Sequence, residues 1–122
     1  MGKVQEFIAA YIGFIASYDE KIPREALQYL KKSVEELKNG NLKKALKDLC
    51  EGVWFMQYMM FGTHLLLRCY DFYESVENEE KPDPKLVKTM ENWVERLLKY
   101  GIPSKEAKEV FKKSKKYRIS SY

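Results

Sequence analysis

The sequence predicts an all-α protein: a helical bundle of four to five helices in one domain that covers residues 1–122. Apolar residues recur at three- and four-residue spacings over most of the chain, which is the period of a helical face. The chain has only six glycines and four prolines and few β-branched runs, which argues against a sandwich or barrel. Its 122 residues, 45% of them hydrophobic and 33% charged, suffice for one globular core.

The first predicted helix is apolar on nearly all sides. One face consists of Val4, Phe7, Ile8, Tyr11, Ile12 and Ile15. Ala9, Ala10 and Phe14 extend the apolar surface and leave only a thin polar strip. Such a helix lies either at the centre of a bundle or under a second subunit. Because a domain of this size has little room for a central helix, we expect a partner chain to cover one side.

A second helix follows and ends in a tight helical hairpin. Pro23 suits the first turn of this helix, where a missing N–H costs nothing. The narrow apolar stripe of the helix consists of Leu27, Leu30, Val34 and Leu37. Gly40 is predicted to end the helix in a left-handed conformation, and Asn41 is predicted to cap the next helix.

The third predicted helix is long and runs over 41–77 if it is unbroken, with a candidate kink or break at Gly62-Thr63. Unbroken, it would measure ~55 Å at 1.5 Å per residue, which is long for so small a domain. One side carries Leu42, Leu46, Leu49, Val53, Met56 and Met60. Its other sides are also apolar and carry Trp54, Phe55, Tyr58, Met59 and Phe61.

Two shorter helices complete the predicted bundle. After a loop over 78–82, Asp83 caps and Pro84 opens the fourth helix, which Gly101 ends. Its apolar face consists of Leu86, Met90, Trp93, Val94, Leu97 and Leu98. Ser104 is predicted to cap a fifth helix. The inward-facing residues of that helix are Ala107, Val110, Phe111 and Tyr117.

A polar stripe on the third helix offers the main candidate chemistry. It consists of Gln57, His64, Arg68, Asp71 and Ser75, which fall within about 60° of one another at helical spacing. As a catalytic site, His64 would carry a proton or donate a hydrogen bond, Arg68 would bind an anion and Asp71 would orient Arg68. As ordinary surface, the stripe is the solvent edge of an amphipathic helix. We favour the second interpretation and assign no catalytic residue.

The sequence favours neither a metal site nor a cofactor. Asp71, Glu74 and Glu77 are spaced three residues apart, but no Glu-x-x-His pair accompanies them. Cys50 and Cys69 form no CxxC motif, and no secretory leader precedes them. Both thiols are therefore expected to be buried in a reducing cytoplasm.

Two further features bear on the setting of the protein. The apolar segments 4–18 and 52–67 are shorter than the ~20 residues that a membrane span needs, so no membrane partner is predicted. Abundant Lys and Glu beside only three Gln and four Asn are typical of a heat-adapted source.

The net charge of +4 conceals two opposite patches. Residues 105–118 hold seven bases and two acids, whereas residues 71–83 hold six acids and one base. The candidate contacts to RNA phosphates are Lys112, Lys113, Lys115, Lys116 and Arg118. The same lysines are also typical of plain solubilising surface. The acidic residues near 77–80 are candidate contacts to a partner.

The first and third helices together expose more apolar surface than a five-helix monomer covers. We therefore predict a symmetric homodimer. The predicted interface consists of Phe7, Tyr11, Phe14, Trp54, Tyr58 and Phe61. A different protein partner, or a small ligand bound near Met56, Met59 and Met60, is an alternative occupant.

The stretch 33–61, with its Gly40-Asn41 turn, its Ala45 and its aromatic end, resembles the first hairpin of HEPN-type helical domains. The ending Tyr117-Arg118…Tyr122 is similar to that of some members, so the resemblance covers 26–122. Tetratricopeptide hairpins share the same turn. Active HEPN proteins are ribonucleases of toxin–antitoxin and defence systems that use an Arg…His motif at a dimer interface. Here His64 precedes Arg68, so the resemblance implies an inactive binding or scaffolding relative.

The sequence therefore predicts a non-catalytic helical interaction module, homodimeric, in a defence or toxin–antitoxin-like system. The alternative is an RNA-binding or RNA-cleaving HEPN-type protein that uses His64 and Arg68.

Overall fold

A computed structural model describes residues 2–17, 21–58, 62–76, 80–101, 104–107 and 109. The helices are α1 (Lys3–Ala16), α2 (Arg24–Lys38), α3 (Leu42–Trp54), α4 (Gly62–Ser75) and α5 (Pro84–Tyr100). Residues 105–107 and 109 are also helical, and no strand occurs within the described ranges. The all-α class is confirmed. The part of the chain that the structure describes holds six helical segments, whereas the sequence predicted four to five.

The predicted long third helix is divided into two helices. Helix α3 ends at Trp54, and the chain leaves it through a turn in which Met56 N–H bonds the Val53 carbonyl at 2.9 Å. Helix α4 then packs against α3, with Cys50 Sγ 2.6 Å from Cys69 Sγ. Helix α3 thus ends before Gly62-Thr63, the predicted break. The early end lets α4 fold back on α3 and bury one face, which a continuous straight helix would leave in water.

Helix α1 is the central helix of the bundle and packs against α3 and α5. It also contacts α4, since the Tyr11 hydroxyl donates to the Leu65 carbonyl at 3.3 Å and the Phe7 ring stacks on Phe72 at 4.2 Å. The expectation that a partner chain covers one side of this helix is wrong. Helices α5 and α3 cover it, together with the α4 contacts at Leu65 and Phe72.

The ends of α2 and α5 follow the predicted local signals. Gly40 and Gly101 have φ angles of +84° and +63°, the left-handed conformation that ends a helix. Asp83 caps α5, with its carboxylate accepting from Lys85 N–H at 3.0 Å. Asn41 is the N-cap residue of α3 as predicted, but its side chain makes no capping bond, and its amide instead donates to the Glu36 carboxylate at 2.9 Å.

The segment after α5 is tied to the C-terminal end of α1. The Ser104 N–H donates to the Ala16 carbonyl at 2.8 Å, and the Ser104 hydroxyl accepts from Ala107 N–H at 3.3 Å. Ser104 is thus the predicted cap, and Ala107 is buried as predicted. The other three residues predicted to face inward there, at 110, 111 and 117, lie outside the described residues.

Helices α2 and α3 pack closely because small residues lie between them. The buried Ser33 hydroxyl donates to the Ala45 carbonyl at 2.6 Å. A Cβ atom added to Gly52 would lie 3.1 Å from the Ala26 carbonyl oxygen and 3.2 Å from Tyr29 Cβ. Since one of these neighbours is backbone, it has little freedom to move away.

We expect Gly52→Ala to lower the free energy of unfolding by about 1 kcal/mol, because overpacking costs ~1–3 kcal/mol and outweighs the gain in helix propensity. Urea unfolding followed by circular dichroism measures the change. Lys47→Ala, at an exposed position of the same helix, is the control and should change the stability by less than about 0.5 kcal/mol. A more stable Gly52→Ala variant would contradict the close approach of α2 and α3.

None of the helices in the described ranges has both the length and the apolar character needed to cross a bilayer.

Candidate functional site

The predicted polar stripe is shorter than expected. His64, Arg68, Asp71 and Ser75 share the exposed side of α4. Gln57 lies outside that helix, in the turn after α3, and is therefore not part of the stripe. The correction follows from the division of the predicted third helix, since residues on two helices do not keep one helical register.

The exposure of this face bears on its chemistry. A catalytic centre lies in a concave site that excludes water and strengthens the interactions of its charged groups. His64, Arg68 and Asp71 are all exposed on an outward helix face. Their placement favours the interpretation of the stripe as the solvent edge of α4. Among the residues that the structure describes, no group of three or more His, Cys, Asp or Glu is arranged to hold a metal ion.

Glu80, in the acidic segment before α5, makes hydrogen bonds within its own chain. One Glu80 carboxylate oxygen accepts from Val4 N–H at 2.6 Å, and the other accepts from Gln5 N–H at 3.3 Å. A carboxylate in this position satisfies free N–H groups in the first turn of α1 and complements the helix dipole. Glu80 therefore supports the fold, while residues 77–79 of the predicted partner contact lie outside the described residues.

The Gln5 side chain extends the same connection. Only 1% of Gln5 is exposed. Its amide NH₂ donates to the Lys81 carbonyl at 2.7 Å and to Glu80 at 3.2 Å, and its oxygen accepts from Asp83 N–H at 2.6 Å. Buried polar atoms need such partners. The Gln5–Glu80 network, defined as Gln5, Glu80 and the backbone of 81 and 83, thus anchors the start of α5 to the start of α1.

A second contact between distant parts of the chain lies at the C-terminal end of α4. The Lys43 ammonium donates to the Tyr73 carbonyl and, at 3.2 Å, to the Val76 carbonyl. It also lies 4.4 Å from the centre of the Tyr73 ring. A cation here satisfies carbonyl groups at the C-terminal end of the helix and gains a cation–π contact. The sequence analysis missed this role because Lys43 and its partners are 30 or more residues apart.

Aromatic side chains form an exposed surface at the end of α3. The Phe55 ring stacks on Tyr29 at 5.7 Å, and the Trp54 ring meets Phe55 edge-on at 5.1 Å. Trp54 is 48% exposed, and Tyr58, in the turn that follows, is 73% exposed. We call these four residues, Tyr29, Trp54, Phe55 and Tyr58, the aromatic patch.

The six residues predicted to form a dimer interface have different positions. Phe7 and Tyr11 are buried inside the chain, at 4% and 1% exposure, and their assignment to an interface is corrected. Phe14 is half-buried against the core. Trp54 and Tyr58 are exposed and belong to the aromatic patch. The sixth residue, Phe61, lies outside the described residues.

Other predicted contact residues fall mostly outside the described part of the chain. This holds for the basic residues Lys112, Lys113, Lys115, Lys116 and Arg118, and for Met59 and Met60. Lys105, which opens the basic segment, is exposed. Met56 is 2% exposed and belongs to the core.

The two cysteines are buried as predicted and lie against each other. Burial, and then the hydrogen bond with Cys50, raises the pKa of the Cys69 thiol well above its ordinary value. Burial is also the main reason why the pKa of Tyr70 is raised, with smaller contributions from Cys50, Glu51 and Cys69. Both groups are therefore neutral at neutral pH.

The described residues form an all-α fold that carries an aromatic patch at one end of α3. No family model matches the chain, and no curated protein or solved structure matches it either.

Proposed function

We propose that this protein is a non-catalytic helical interaction module that forms a homodimer through the aromatic patch. The observation that carries the proposal is the exposure of Trp54. Its side chain remains 48% accessible although its ring contacts Phe55, which in turn stacks on Tyr29. Trp and Tyr are enriched among the residues that contribute most to binding energy. Helix α1 contributes nothing to the proposal, since its apolar residues are buried by its own chain.

A second copy of this chain is the proposed occupant for two reasons. A two-fold axis near the patch would bring two identical aromatic surfaces together, and cyclic dimers are the commonest soluble oligomers. The stacked Tyr29 and Phe55 rings also hold Trp54 against a fixed neighbour, which lowers the entropy cost of ordering it on binding.

The test compares the sedimentation of the wild type with that of Trp54→Ala and Tyr58→Ala over a dilution series. We expect a concentration-dependent dimer in the wild type and at least about 30-fold weaker association in Trp54→Ala, the effect of losing a residue worth ~2 kcal/mol. Tyr100→Ala is the matched control, because Tyr100 is 70% exposed but lies at the end of α5. A wild type that stays monomeric at high micromolar concentration would contradict the proposal, and so would equal weakening by Tyr100→Ala.

The proposed context is a defence or toxin–antitoxin-like system, and its support is the resemblance of 33–61 to a HEPN hairpin. The alternative function, an RNA-binding or RNA-cleaving protein that uses His64 and Arg68, has less support. Both side chains lie on an exposed helix face, where neither water exclusion nor a concave pocket would assist proton transfer.

A further inference from the structure

The Cys50–Cys69 pair joins two separate helices at a buried point. Cys50 belongs to α3 and Cys69 to α4, and each is 0% exposed. Their sulfur atoms are 2.6 Å apart, with nothing between them. The chain that links the two residues carries three members of the aromatic patch, namely Trp54, Phe55 and Tyr58.

Two thiols in contact favour the intramolecular step of disulfide formation once an oxidant has reacted with one of them. A disulfide requires the two sulfur atoms to meet, and the packing of α3 against α4 holds them 2.6 Å apart. The second thiol then reacts intramolecularly, which is far faster than the encounter of two separate molecules. A buried thiol that had only a packing role would be served equally well by an apolar neighbour.

We infer that Cys50 and Cys69 are a redox site that forms an intramolecular disulfide by exchange with a low-molecular-weight disulfide such as oxidised glutathione. One cysteine thiolate attacks the oxidant, forms a mixed disulfide and releases one reduced thiol. The second cysteine attacks the protein sulfur of that mixed disulfide and releases the other reduced thiol. The two protein thiols are oxidised, the oxidant is reduced, and the two protons end on the released thiols.

The buried position determines how the reaction proceeds. Since neither sulfur is accessible in the closed structure, the oxidant enters when α3 and α4 separate locally or while the chain folds. Exchange in the folded protein is therefore slow at neutral pH, and it is slowed further because burial raises the pKa of the Cys69 thiol. The product locks the α3–α4 hairpin and constrains the unfolded chain by a link between residues 19 positions apart.

In the experiment, the chain of residues 1–122 is refolded in a glutathione redox buffer and its free thiols are trapped by alkylation in denaturant. The mass of the product is then measured by mass spectrometry. We expect a monomeric chain lighter than the reduced protein by two hydrogen atoms and free of alkyl groups. Its melting temperature should exceed that of the same protein in excess reductant by about 10 °C. Two alkylated cysteines, glutathione adducts on both, or disulfide-linked dimers would each overturn the inference.

Serine variants provide the matched controls. Cys50→Ser and Cys69→Ser each leave a single thiol, so the melting temperature of each should no longer respond to reductant. The comparison of the oxidised and reduced wild type decides the matter even where a variant fails to fold. The result is independent of the proposed dimer, because the disulfide is read from mass within one chain.

Discussion

Replacing Tyr11 by alanine is expected to lower the free energy of unfolding by about 3–5 kcal/mol, the range found for large aromatic residues removed from a core. The Tyr11 ring is 1% exposed and stacks on Phe7 at 4.3 Å, and its hydroxyl donates to the Leu65 carbonyl. Alanine would leave a void between α1 and α4 and would remove the hydroxyl that bonds the Leu65 carbonyl. Equilibrium urea unfolding followed by circular dichroism measures the loss.

Two control variants separate the contributions to this effect. Tyr11→Phe removes only the hydroxyl and should cost about 1 kcal/mol, the net value of one hydrogen bond. Tyr100→Ala, at a side chain that is 70% exposed, should change stability by less than about 0.5 kcal/mol.

The same experiment distinguishes a core role from an interface role for Tyr11. If Tyr11 is part of the core, the loss in Tyr11→Ala is the same at every protein concentration. If it lay at a dimer interface, the loss would depend on concentration and would be accompanied by dissociation. A variant that dissociates but keeps the unfolding free energy of the isolated chain would show that the central position of α1 is incorrect.

The sequence predicted those parts of the fold that local chemistry determines. A helix end depends on residues within one turn of it. Gly40 and Gly101 as helix ends and Asp83 as a helix cap could therefore be predicted from local sequence. The apolar stripe of α2 likewise identifies the buried face, because its periodicity depends only on the helix itself.

The sequence offered a candidate break at Gly62-Thr63, where α4 begins, but it gave no sign that α3 ends as early as Trp54. Between Trp54 and Phe61 there is neither glycine nor proline, and the apolar pattern continues without interruption. The helix ends there because the chain gains more by packing Leu65 and Cys69 against the core than by extending the rod. That gain belongs to tertiary structure. An unbroken third helix also left out the contacts of α1 with Leu65 and Phe72 of α4, which help to bury Tyr11 and Phe7.

The candidate surfaces show the same limit. Periodicity identified Phe7, Tyr11 and Trp54 alike as apolar helix residues, but it contains no information on what covers each of them. The structure buries the first two and leaves Trp54 exposed at the end of α3. The Gln5–Glu80 contact joins residues 75 positions apart and has no local signature at all.

Loss of the Gln5–Glu80 network should also have a large effect. We expect Gln5→Ala to lower the free energy of unfolding by about 2–3 kcal/mol. The substitution removes a buried amide and leaves the Asp83 N–H and the Lys81 carbonyl without the partners that Gln5 provides. Both partners are part-buried, so water only partly replaces the lost bonds, and the members of a polar network strengthen one another. Gln28→Ala, at an exposed position of α2, is the matched control and should be nearly neutral.

Two further variants test whether Gln5 acts as an amide and not merely as a filler of space. Gln5→Glu keeps the size but places a buried carboxylate beside that of Glu80, so it should destabilise more than Gln5→Ala at neutral pH. A double-mutant cycle pairs Gln5→Ala with Glu80→Ala. The double variant should lose at least about 0.5 kcal/mol less unfolding free energy than the sum of the two single losses, because either change already breaks the shared contact. Full additivity, or a Gln5→Glu variant as stable as the wild type, would mean that α1 and the start of α5 are not joined through this network.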